Sequence, residues 1–488
     1  MTSALPLKDA GLHRDLAHID GAWVAAEDGR RFAVTDPAGG TLLGEVADLG
    51  AAETRRAIAA AAAAWPAWRA RTAKDRAALL RRWHDLILQH TDDLAVLLTL
   101  ECGKPLAEAR GEIVYGASFI EWFAEEGKRA YGDVIPATAT DRRFLAIKQP
   151  VGVVAALTPW NFPNAMITRK VAPALAAGCP VVVKPAEGTP FSALALAELA
   201  VRAGFPPGLF NVVTTGRPAG VGEELCANPT VRKLSFTGST GTGRLLMRQC
   251  AGTVKKLSLE LGGNAPFIVF DDADIEAAVK GAMASKFRNS GQTCVCANRF
   301  LVQDGVHDRF VAAFAEAIGG LKVAPGLAPG CQQGPLINEA GIAKVEALVA
   351  DAVALGASVV LGGGRHALGG TFYQPTLLTG VTPAMRLARE EIFGPVAAVF
   401  RFAAEEEAVR LANDTEYGLA SYFYARDIGR VWRVAEALDY GMVGINEGII
   451  STEVAPFGGV KNSGIGREGS KYGIEEYLEI KYLCLGGL

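Results

Sequence analysis

From residue 151 onward, short apolar runs alternate with longer segments of helical periodicity. The apolar runs have the length of strands and lie at 151–157, 180–183, 209–213, 233–236 and 256–260. Helices are predicted between them, near 164–177, 192–203, 218–227 and 241–251. This alternation is typical of an α/β protein with a parallel, doubly wound sheet. Ligands of such sheets bind at the carboxyl ends of the strands, so we expect the chemistry there.

A second α/β unit is predicted from residue 265 to about residue 467. Its strands are expected near 265–270, 299–303, 357–361, 396–402, 419–424 and 441–446. Segments 131–148 and 477–488 look extended and are expected outside both sheets. Detached strands of this kind often pair between subunits, so the pattern favours an oligomer.

The first 130 residues are expected to be mostly helical. An alanine-rich helix is predicted over 51–65, ending before Pro66, because proline disrupts a helix interior. An amphipathic helix is predicted over 76–90, where apolar residues recur at helical spacing.

The composition indicates a soluble globular protein of about three domains, at roughly 150 residues per domain. Half of the 488 residues are hydrophobic, and 49 basic residues against 52 acidic ones leave a net charge of −3. This balance gives no general electrostatic reason to bind nucleic acid or an anionic membrane. Segment 1–20 lacks a signal-peptide core, and the apolar stretch 171–183 is too short to span a bilayer. We therefore expect a cytoplasmic protein.

Eight cysteines are too few for a disulfide scaffold in a chain of this length. No CxxC pair occurs, so a structural zinc site is not expected either. Most of the cysteines should be reduced and buried.

Cys294 lies in the segment GQTCVCA at 291–297, among small residues with no acid nearby. A thiol in this setting can be exposed, with a pKa lowered by a helix N-terminus or a cation, as nucleophilic cysteines require. A buried structural cysteine is the alternative interpretation of this segment alone. Cys296 is the weaker nucleophile candidate, because a new apolar strand follows it.

Glu260 ends a predicted strand and precedes a pair of glycines. Partial burial would raise the pKa of its carboxyl and suit it to act as a general base. A salt-bridged structural glutamate is the alternative. Asn161, in TPWNFP at 158–163, can present its amide to a developing oxyanion, or the segment is simply a rigid approach to a helix.

Two turns at strand ends suit a dinucleotide. In FTGSTGTG at 236–243, Gly238 and Gly243 allow a pyrophosphate to approach the backbone at a helix N-terminus. The spacing departs from GxGxxG, so this turn alone is weak evidence. Glu187, in KPAE at 184–187, is placed to accept ribose hydroxyls or forms an ordinary charged turn.

Seven motifs, in this order, resemble those of the aldehyde dehydrogenase superfamily across essentially the whole chain: TPWNFP at 158–163, KPAE at 184–187, FTGST at 236–240, ELGGNAP at 260–266, GQTC at 291–294, EEIFGPV at 390–396 and PFGGVKNSGIGRE at 456–468. KFRNSGQTCVCANRF at 286–300, MITRK at 166–170 and the segment 445–484 are similar to the succinate-semialdehyde dehydrogenase subfamily. Degradation of 4-aminobutyrate is the usual setting of such relatives.

The resemblance implies an aldehyde-dehydrogenase-like α/β fold with a Rossmann-type cofactor domain, a second α/β catalytic domain and a small β extension for oligomerisation. These parts are assigned to 1–130 with 149–261, to 262–467, and to 131–148 with 468–488. It also implies a homodimer or homotetramer.

The resemblance further implies a mechanism without a metal. Cys294 would attack the aldehyde carbon, and Asn161 with the Cys294 backbone N–H would hold the oxyanion of the thiohemiacetal. Hydride transfer to nicotinamide would leave a thioester, which water activated by Glu260 would hydrolyse.

Cofactor contacts are implied for twelve residues: Trp160, Asn161, Lys184, Pro185, Ala186, Glu187, Gly238, Ser239, Gly243, Leu261, Glu391 and Phe393. Within this set, Glu391 matches the residue that holds the nicotinamide ribose, and Phe393 packs near the ring. Glu187 repels a 2′-phosphate, whereas Lys184 tolerates one. We predict that NAD is preferred and that NADP is also accepted.

Arg169, Arg288 and Ser451 match positions that bind the distal carboxylate of succinate semialdehyde, which an arginine fork suits. Without the resemblance, a salt bridge would be the ordinary role of these arginines. The Cys294–Cys296 pair also implies a redox switch through a reducible disulfide. Three alternatives to oxidation of succinate semialdehyde stay open. They are the same chemistry on glutarate semialdehyde, a CoA-acylating dehydrogenase, and a non-catalytic binding protein on the same fold.

Overall fold

The amino-terminal part of the chain combines short strands with long helices. The computed structural model describes residues 5–488, so the first four residues of segment 1–20 lie outside the described residues. The strands are β1 (Ala17–Ile19), β2 (Ala22–Val24), β3 (Arg31–Thr35) and β4 (Leu42–Ala47), and the helices are α1 (Ala51–Arg69), α2 (Ala73–Gln89), α3 (Thr91–Cys102) and α4 (Leu106–Glu126). The prediction of a mostly helical start is wrong for 17–47. These strands have only three to six residues and are stabilised by pairing with other strands.

Helix α1 does not end before Pro66 as predicted, but continues to Arg69 with the proline inside it. The extra turn buries the Trp68 side chain, whose indole N–H donates to the Leu175 carbonyl at 3.1 Å. Burial of this large side chain offsets the hydrogen bond that the proline removes.

A parallel sheet forms the centre of the first α/β unit, as predicted. After β5 (Asp133–Ile135) and β6 (Arg142–Pro150), its strands are β7 (Val153–Leu157), β8 (Val181–Lys184), β9 (Phe210–Val212), β10 (Val231–Thr237) and β11 (Lys256–Glu260). The helices between them are α5 (Ala165–Ala177), α6 (Pro190–Arg202), α7 (Pro218–Ala227) and α8 (Thr240–Cys250). The strand order is β11-β10-β7-β8-β9, and the antiparallel hairpin β1–β2 extends the β9 edge.

The second sheet also matches the predicted alternation, with one strand more. It contains β12 (Ala265–Val269), β13 (Ala297–Gln303), β14 (Ser358–Leu361), β15 (Thr376–Thr379), β16 (Val396–Phe402), β17 (Ala420–Tyr424) and β18 (Met442–Ile445), with helices α9 (Ile275–Phe287), α10 (His307–Gly319), α11 (Glu339–Ala354), α12 (Glu405–Asn413) and α13 (Ile428–Ala437). The order is β14-β15-β16-β13-β12-β17-β18, parallel except for β14. Strand β15 was not expected, because its four residues follow a proline and carry little pattern.

The last part of the chain returns to the first unit. Strand β19 (Gly464–Ile465) pairs with β11, and after α14 (Ser470–Glu475) strand β20 (Leu478–Gly486) pairs antiparallel with β6 over its whole length. The three-stranded sheet β20-β6-β5 lies outside the two large sheets, as expected for these segments. Ile480 and Tyr482 of β20 are 73% and 59% exposed.

The parallel strands of the first sheet end at one common edge. Thr158, Lys184, Gly238 and Leu261 therefore begin or end loops on the same side of the molecule. Among residues 5–488, no helix has both the length and the apolar character needed to cross a bilayer.

Candidate active site

The loop that carries Cys294 joins α9 to β13 through an unusual backbone path. Asn289, Ser290 and Gly291 have φ values of 50°, 56° and 75°, three left-handed residues in succession. Each non-glycine residue held there costs on the order of 1–3 kcal/mol. A side chain at Gly291 would begin 2.2 Å from the Gly394 carbonyl oxygen, so only glycine fits.

Hydrogen bonds to neighbouring segments stabilise this loop. The Asn289 N–H donates to Glu108 Oε2 at 2.7 Å, and the Ser290 hydroxyl donates to the Gly334 carbonyl at 3.0 Å. Gln292 Oε1 accepts from the Ile337 N–H at 3.0 Å. Residues 289–292, which precede Cys294, are therefore fixed by hydrogen bonds to α4 and to the segment 334–337.

Cys294 opens into a cavity of about 250 Å³ at the carboxyl edge of the first sheet. A second cavity, of about 560 Å³, lies beside it between α7 and α8. The two share Pro159, Trp160, Thr237, Gly238 and Ser239 as lining residues. Together they form an elongated site of the kind that a dinucleotide requires.

Most of the predicted cofactor residues line these cavities. Lys184, Ala186 and Glu187 line the larger one, Asn161, Leu261, Glu391 and Phe393 line the smaller one, and Trp160, Gly238 and Ser239 line both. Pro185 and Gly243 line neither. A side chain at Gly243 would begin 2.4 Å from Leu261, so this glycine permits close packing of α8 on the β11 end.

The turn before α8 presents backbone rather than side chains to the cavity. The Ser239 hydroxyl accepts from the Thr242 N–H at 3.3 Å and caps the helix. A side chain at Gly238 would begin 2.4 Å from the Phe236 ring, so a larger residue here would have to displace that ring. The exposed helix N-terminus suits a phosphate group.

Lys184 and Glu187 form an ion pair at the wall of the larger cavity, with Nζ and Oε2 3.2 Å apart. Burial lowers the pKa of Lys184, and the Glu187 charge partly opposes this shift. The Glu187 side chain is half exposed, and its carboxylate is accessible to a ligand.

At the other end of the site, Glu391 accepts from the Gly263 N–H at 3.0 Å. Burial raises the pKa of its carboxyl to about 7, despite this hydrogen bond. Phe393 has a φ of 57° and packs edge-on against Trp160, with ring centres 5.6 Å apart. These side chains line the same cavity as Cys294.

The Cys294 thiol does not have the lowered pKa that the sequence suggested. Burial raises it to about 12, and the nearby carboxyls of Glu391 and Glu260 add to this effect. Arg169 and Arg288 act in the opposite direction. The thiol is only partly accessible, so the protein without ligands holds it protonated.

Glu260 lies at the end of β11, only 3% exposed. Burial raises its pKa well above the ordinary value, and repulsion from Glu468 raises it further. Its Oε2 atom has no hydrogen-bond partner within residues 5–488. A buried carboxyl with a free oxygen and a raised pKa fits the predicted general base.

Glu468 forms ion pairs with Arg169 and Lys170, two neighbouring residues of α5. Its Oε2 lies 2.6 Å from Arg169 Nε, and Lys170 Nζ also donates to the Ser235 hydroxyl at 3.1 Å. The Arg169 guanidinium lies 4.1 Å from the centre of the Phe457 ring. Arg169 is therefore already neutralised by a carboxylate of the protein.

Arg288 is different, because no carboxylate of the described chain forms an ion pair with it. It is half-buried, and its guanidinium lies 5.3 Å from the Phe162 ring centre. Both arginines affect the pKa of Cys294 electrostatically, so they lie on its side of the molecule. Ser451 is half-buried in the loop after β18, and no hydrogen bond joins it to either arginine within the described residues.

Asn161 faces the nucleophile loop, and its amide donates to the Gln292 carbonyl at 3.0 Å. The structure thus brings Asn161, Glu260 and Cys294 into one region from three separate segments. Cys296 is buried, and its thiol donates to the Lys286 carbonyl at 3.3 Å. All eight cysteines are free, and five are buried.

Two residues of this region were missed from the sequence. Glu468 could have been noted as the lone acid that ends the glycine-rich segment 456–468. Tyr115 gave no signal, because it lies four residues before Phe119 on an apolar helix face and resembles ordinary core. Its buried hydroxyl has no partner in the described chain and lies within electrostatic reach of Arg169 and Arg288.

A cysteine facing a dinucleotide-sized cavity, with a buried carboxyl behind it, defines the site of a thiol-dependent dehydrogenase. The aldehyde dehydrogenase family model matches residues 23–483, and this chain belongs to that family. Aldehyde dehydrogenases use NAD(P), so the chain is an NAD(P)-dependent oxidoreductase acting on a small-molecule aldehyde. Across residues 5–488, no group of three or more His, Cys, Asp or Glu side chains is arranged to hold a metal ion.

Several characterised proteins are similar over the full length. A glutarate-semialdehyde dehydrogenase of Pseudomonas aeruginosa is 64% identical, with 99% of this chain and 100% of the relative covered. GabD of Escherichia coli, a succinate-semialdehyde dehydrogenase named for NADP(+), is 64% identical, with 99% and 100% covered. The crystal structure of a succinate-semialdehyde dehydrogenase from Burkholderia pseudomallei is 65% identical, with 99% and 100% covered and a TM-score of 0.98. The predicted family and fold are confirmed.

Proposed function

We propose that this chain oxidises succinate semialdehyde to succinate, with NAD(P) as the hydride acceptor and Cys294 as the nucleophile. The observation that carries the proposal is that Cys294 and Asn161 line one cavity that adjoins a dinucleotide-sized one, with the buried Glu260 close enough to Cys294 to raise the pKa of its thiol. High identity to succinate-semialdehyde dehydrogenases supports the choice of substrate.

In the first step, the Cys294 thiol releases its proton to solvent, its sulfur adds to the aldehyde carbon, and the electron pair of the C=O double bond moves to the oxygen, which becomes an oxyanion. The Asn161 amide and the Cys294 backbone N–H stabilise this charge. The Asn161 amide has two N–H groups, and the Gln292 carbonyl uses one of them. The other is free to donate to the oxyanion.

Loss of hydride from the thiohemiacetal carbon leaves a thioester on Cys294. When bound, NAD(P) supplies the acceptor for this hydride. In the second step Glu260 takes a proton from water, the resulting hydroxide attacks the thioester carbon, and the C–S bond breaks. Glu260 then passes its proton to the Cys294 thiolate, and the released acid loses its own proton to solvent as succinate, so both side chains return to their starting state.

The cofactor site is proposed to be held by the residues that line the two cavities. The backbone at Gly238 and the α8 N-terminus suit the pyrophosphate, and Glu391 suits the nicotinamide ribose. We propose a preference for NAD, because the Glu187 carboxylate repels a 2′-phosphate. Its ion pair with Lys184 reduces that repulsion, so NADP is also accepted.

For the substrate carboxylate we propose Arg288 as the principal partner, with Ser451 beside it and Arg169 in a supporting role. Arg288 is the arginine of this region without a carboxylate partner in the described chain, and a guanidinium fork matches a carboxylate. Arg169, paired with Glu468, contributes less free charge.

Glutarate semialdehyde is the second candidate substrate, favoured by the 64% identity to the enzyme of Pseudomonas aeruginosa. It carries the same two functional groups one methylene further apart. A single methylene discriminates by only about 1–3 kcal/mol, so both substrates are expected to react.

The division of the chain is proposed as 1–130 with 149–261 for the cofactor, 262–467 for catalysis, and 131–148 with 468–488 for assembly. We further propose a homodimer or homotetramer. The exposed apolar side chains of β20, at the edge of a small sheet, support pairing with another subunit.

The test is a NADH and NADPH absorbance assay with succinate semialdehyde, glutarate semialdehyde and butanal. Cys294→Ser is expected to abolish oxidation of all three, whereas Cys331→Ser, at another partly accessible cysteine, retains it. A Cys294→Ser enzyme with undiminished turnover would overturn the proposal. Turnover without added CoA separates hydrolysis from acyl transfer to CoA.

A further inference from the structure

A buried ion pair lies behind Asn161 and outside the reacting groups. It joins Lys104, just before α4, to Glu112, two turns into that helix, and both side chains are only 1% exposed. Burying two charges is costly, and such a pair is no guarantee of added stability. Because stability does not account for the pair, we considered its contacts with the segment that carries Asn161, the candidate oxyanion donor.

The pair binds three backbone groups of the segment 161–165. Lys104 Nζ donates to the Asn161 carbonyl at 2.9 Å and lies 3.6 Å from the centre of the Phe162 ring. Glu112 Oε1 accepts from the N–H groups of Asn164 and Ala165, at 3.0 and 3.2 Å. These two side chains thus fix the segment that begins at Asn161 and leads into α5.

The same helix also holds the nucleophile loop. Asn289 Nδ2 donates to the Asn161 carbonyl at 3.0 Å, so this oxygen accepts hydrogen bonds from both Lys104 and the nucleophile loop. The Asn289 N–H in turn donates to Glu108 of α4. Glu108 and Glu112 are four residues apart on one face of α4, and Lys104 lies four residues before Glu108, ahead of the helix.

We infer that Lys104 and Glu112 are positioning residues, which hold the Asn161 amide in register with the Cys294 sulfur for the addition step. This inference rests on the proposed role of Asn161 as the oxyanion donor. A misplacement of about 1 Å at a donor costs up to roughly 100-fold in rate, so loss of the pair should slow addition.

A purely structural role would lower the amount of folded protein and slow the reaction regardless of Asn161. A positioning role acts through Asn161 alone. The two are separated by a double-mutant cycle, which measures whether two substitutions act independently. The readout is the rate constant of the pre-steady-state NADH burst, which contains addition and hydride loss but not hydrolysis.

Lys104→Met is expected to lower the burst rate constant by about 10-fold or more. In an Asn161→Ala background, the same substitution should change it by less than about 2-fold, because there is no donor left to misplace. The dissociation constant for NAD should stay within about 2-fold of the wild type. Lys104→Arg, which retains the charge and the donors, should restore part of the rate.

Lys255→Met is the matched control. Lys255 is also buried and donates to two backbone carbonyls, of Asn228 and Val231, but at the opposite end of the first sheet. It should leave the burst rate unchanged. Where Lys104→Met does not fold, Lys104→Met/Glu112→Gln leaves no unpaired buried charge and enters the same cycle.

Additive effects of Lys104→Met and Asn161→Ala would overturn the positioning role while leaving Asn161 as a donor. An Asn161→Ala enzyme with a normal burst would instead refute the oxyanion role of Asn161, and the positioning role would fall with it. The inference is supported when Lys104→Met lowers the burst rate constant in the enzyme that retains Asn161 but not in the Asn161→Ala enzyme.

Discussion

Glu260 and Glu468 are two buried carboxyls whose pKa values are displaced in opposite directions. Burial and the Glu468 charge raise the pKa of Glu260. Burial also opposes ionisation of Glu468, but Lys170 and Arg169 outweigh it and lower that pKa. Glu468 therefore ionises more readily than an ordinary glutamate, beside a Glu260 that ionises less readily.

Replacement of Glu260 by glutamine should separate the two chemical steps. Without a base the thioester hydrolyses slowly, so we expect steady-state turnover to fall by about 100-fold or more. The NADH burst should persist, at one equivalent per active site, since the base acts after hydride loss. Stopped-flow absorbance measures both. A burst that falls as far as turnover would contradict this assignment.

Replacement of Glu468 by glutamine should shift the pH dependence of hydrolysis. A raised pKa means that the basic form of Glu260 appears only as the pH increases through that value. Removing the Glu468 charge, and freeing Arg169 and Lys170, lowers the pKa of Glu260, so the rate should rise at a lower pH. Glu198→Gln, at a buried glutamate paired with Arg14 and Arg202, is the control that leaves the profile in place. A profile unchanged or shifted upward in Glu468→Gln would refute the electrostatic link.

Replacement of Glu187 by glutamine should favour NADP. Loss of the carboxylate removes the repulsion of a 2′-phosphate and releases Lys184 from its ion pair, and both effects act in the same direction. We expect the ratio of kcat/KM for NADP to that for NAD to rise by about 10-fold, which is roughly 1.4 kcal/mol. Glu224→Gln, at a residue paired with Arg55, should leave the ratio unchanged. An unchanged ratio in Glu187→Gln would show that specificity is set elsewhere.

The two arginines should differ in their effect on the substrate. Arg288→Ala is expected to raise KM for succinate semialdehyde by about 10-fold or more and to spare butanal, which has no carboxylate. Arg169→Met instead breaks the ion pair with Glu468, so it should lower kcat for both aldehydes. Initial-rate kinetics with the two substrates test this contrast. Equal losses for both aldehydes in Arg288→Ala would remove the carboxylate role.

The proposed redox switch predicts reversible inactivation. Peroxide treatment should join Cys294 and Cys296 in a disulfide, with peroxide as the two-electron oxidant, and dithiothreitol should restore activity. In Cys296→Ser the partner thiol is missing, so peroxide should inactivate Cys294 irreversibly. Cys331→Ser is expected to behave like the wild type. Failure of dithiothreitol to rescue the wild-type enzyme would exclude the switch.

The sequence predicted the parts of the fold that depend on local pattern. The strands at 256–260 and 396–402 lie where the apolar runs placed them, because buried parallel strands carry a continuous apolar signal. The strands within 17–47 were missed, since short edge strands depend on their neighbours for stability. The predicted end of α1 before Pro66 was also wrong, because burial of the Trp68 side chain outweighs the tendency of proline to end a helix.

For the site, motifs indicated which residues meet, but not their electrostatics. The sequence gives no sign that burial keeps the Cys294 thiol protonated, or that Glu468 neutralises Arg169. The Lys104–Glu112 pair is equally invisible, because the two residues are eight apart in the sequence and charged residues at a helix usually lie on its solvated face. Each of these properties depends on what surrounds the residue in three dimensions.

The pairing of β20 with β6 has a consequence for the newly made polypeptide. Residues 142–150 are synthesised long before residues 478–486. Strand β6 therefore cannot pair with β20 until almost the whole chain has left the ribosome. Glu468 also arrives late, whereas Glu260 and Cys294 are made earlier. A nascent chain that stalls before residue 468 would therefore expose the unpaired edge of β6, which favours aggregation. It would also carry Cys294 and Glu260 without Glu468, so we expect it to be inactive.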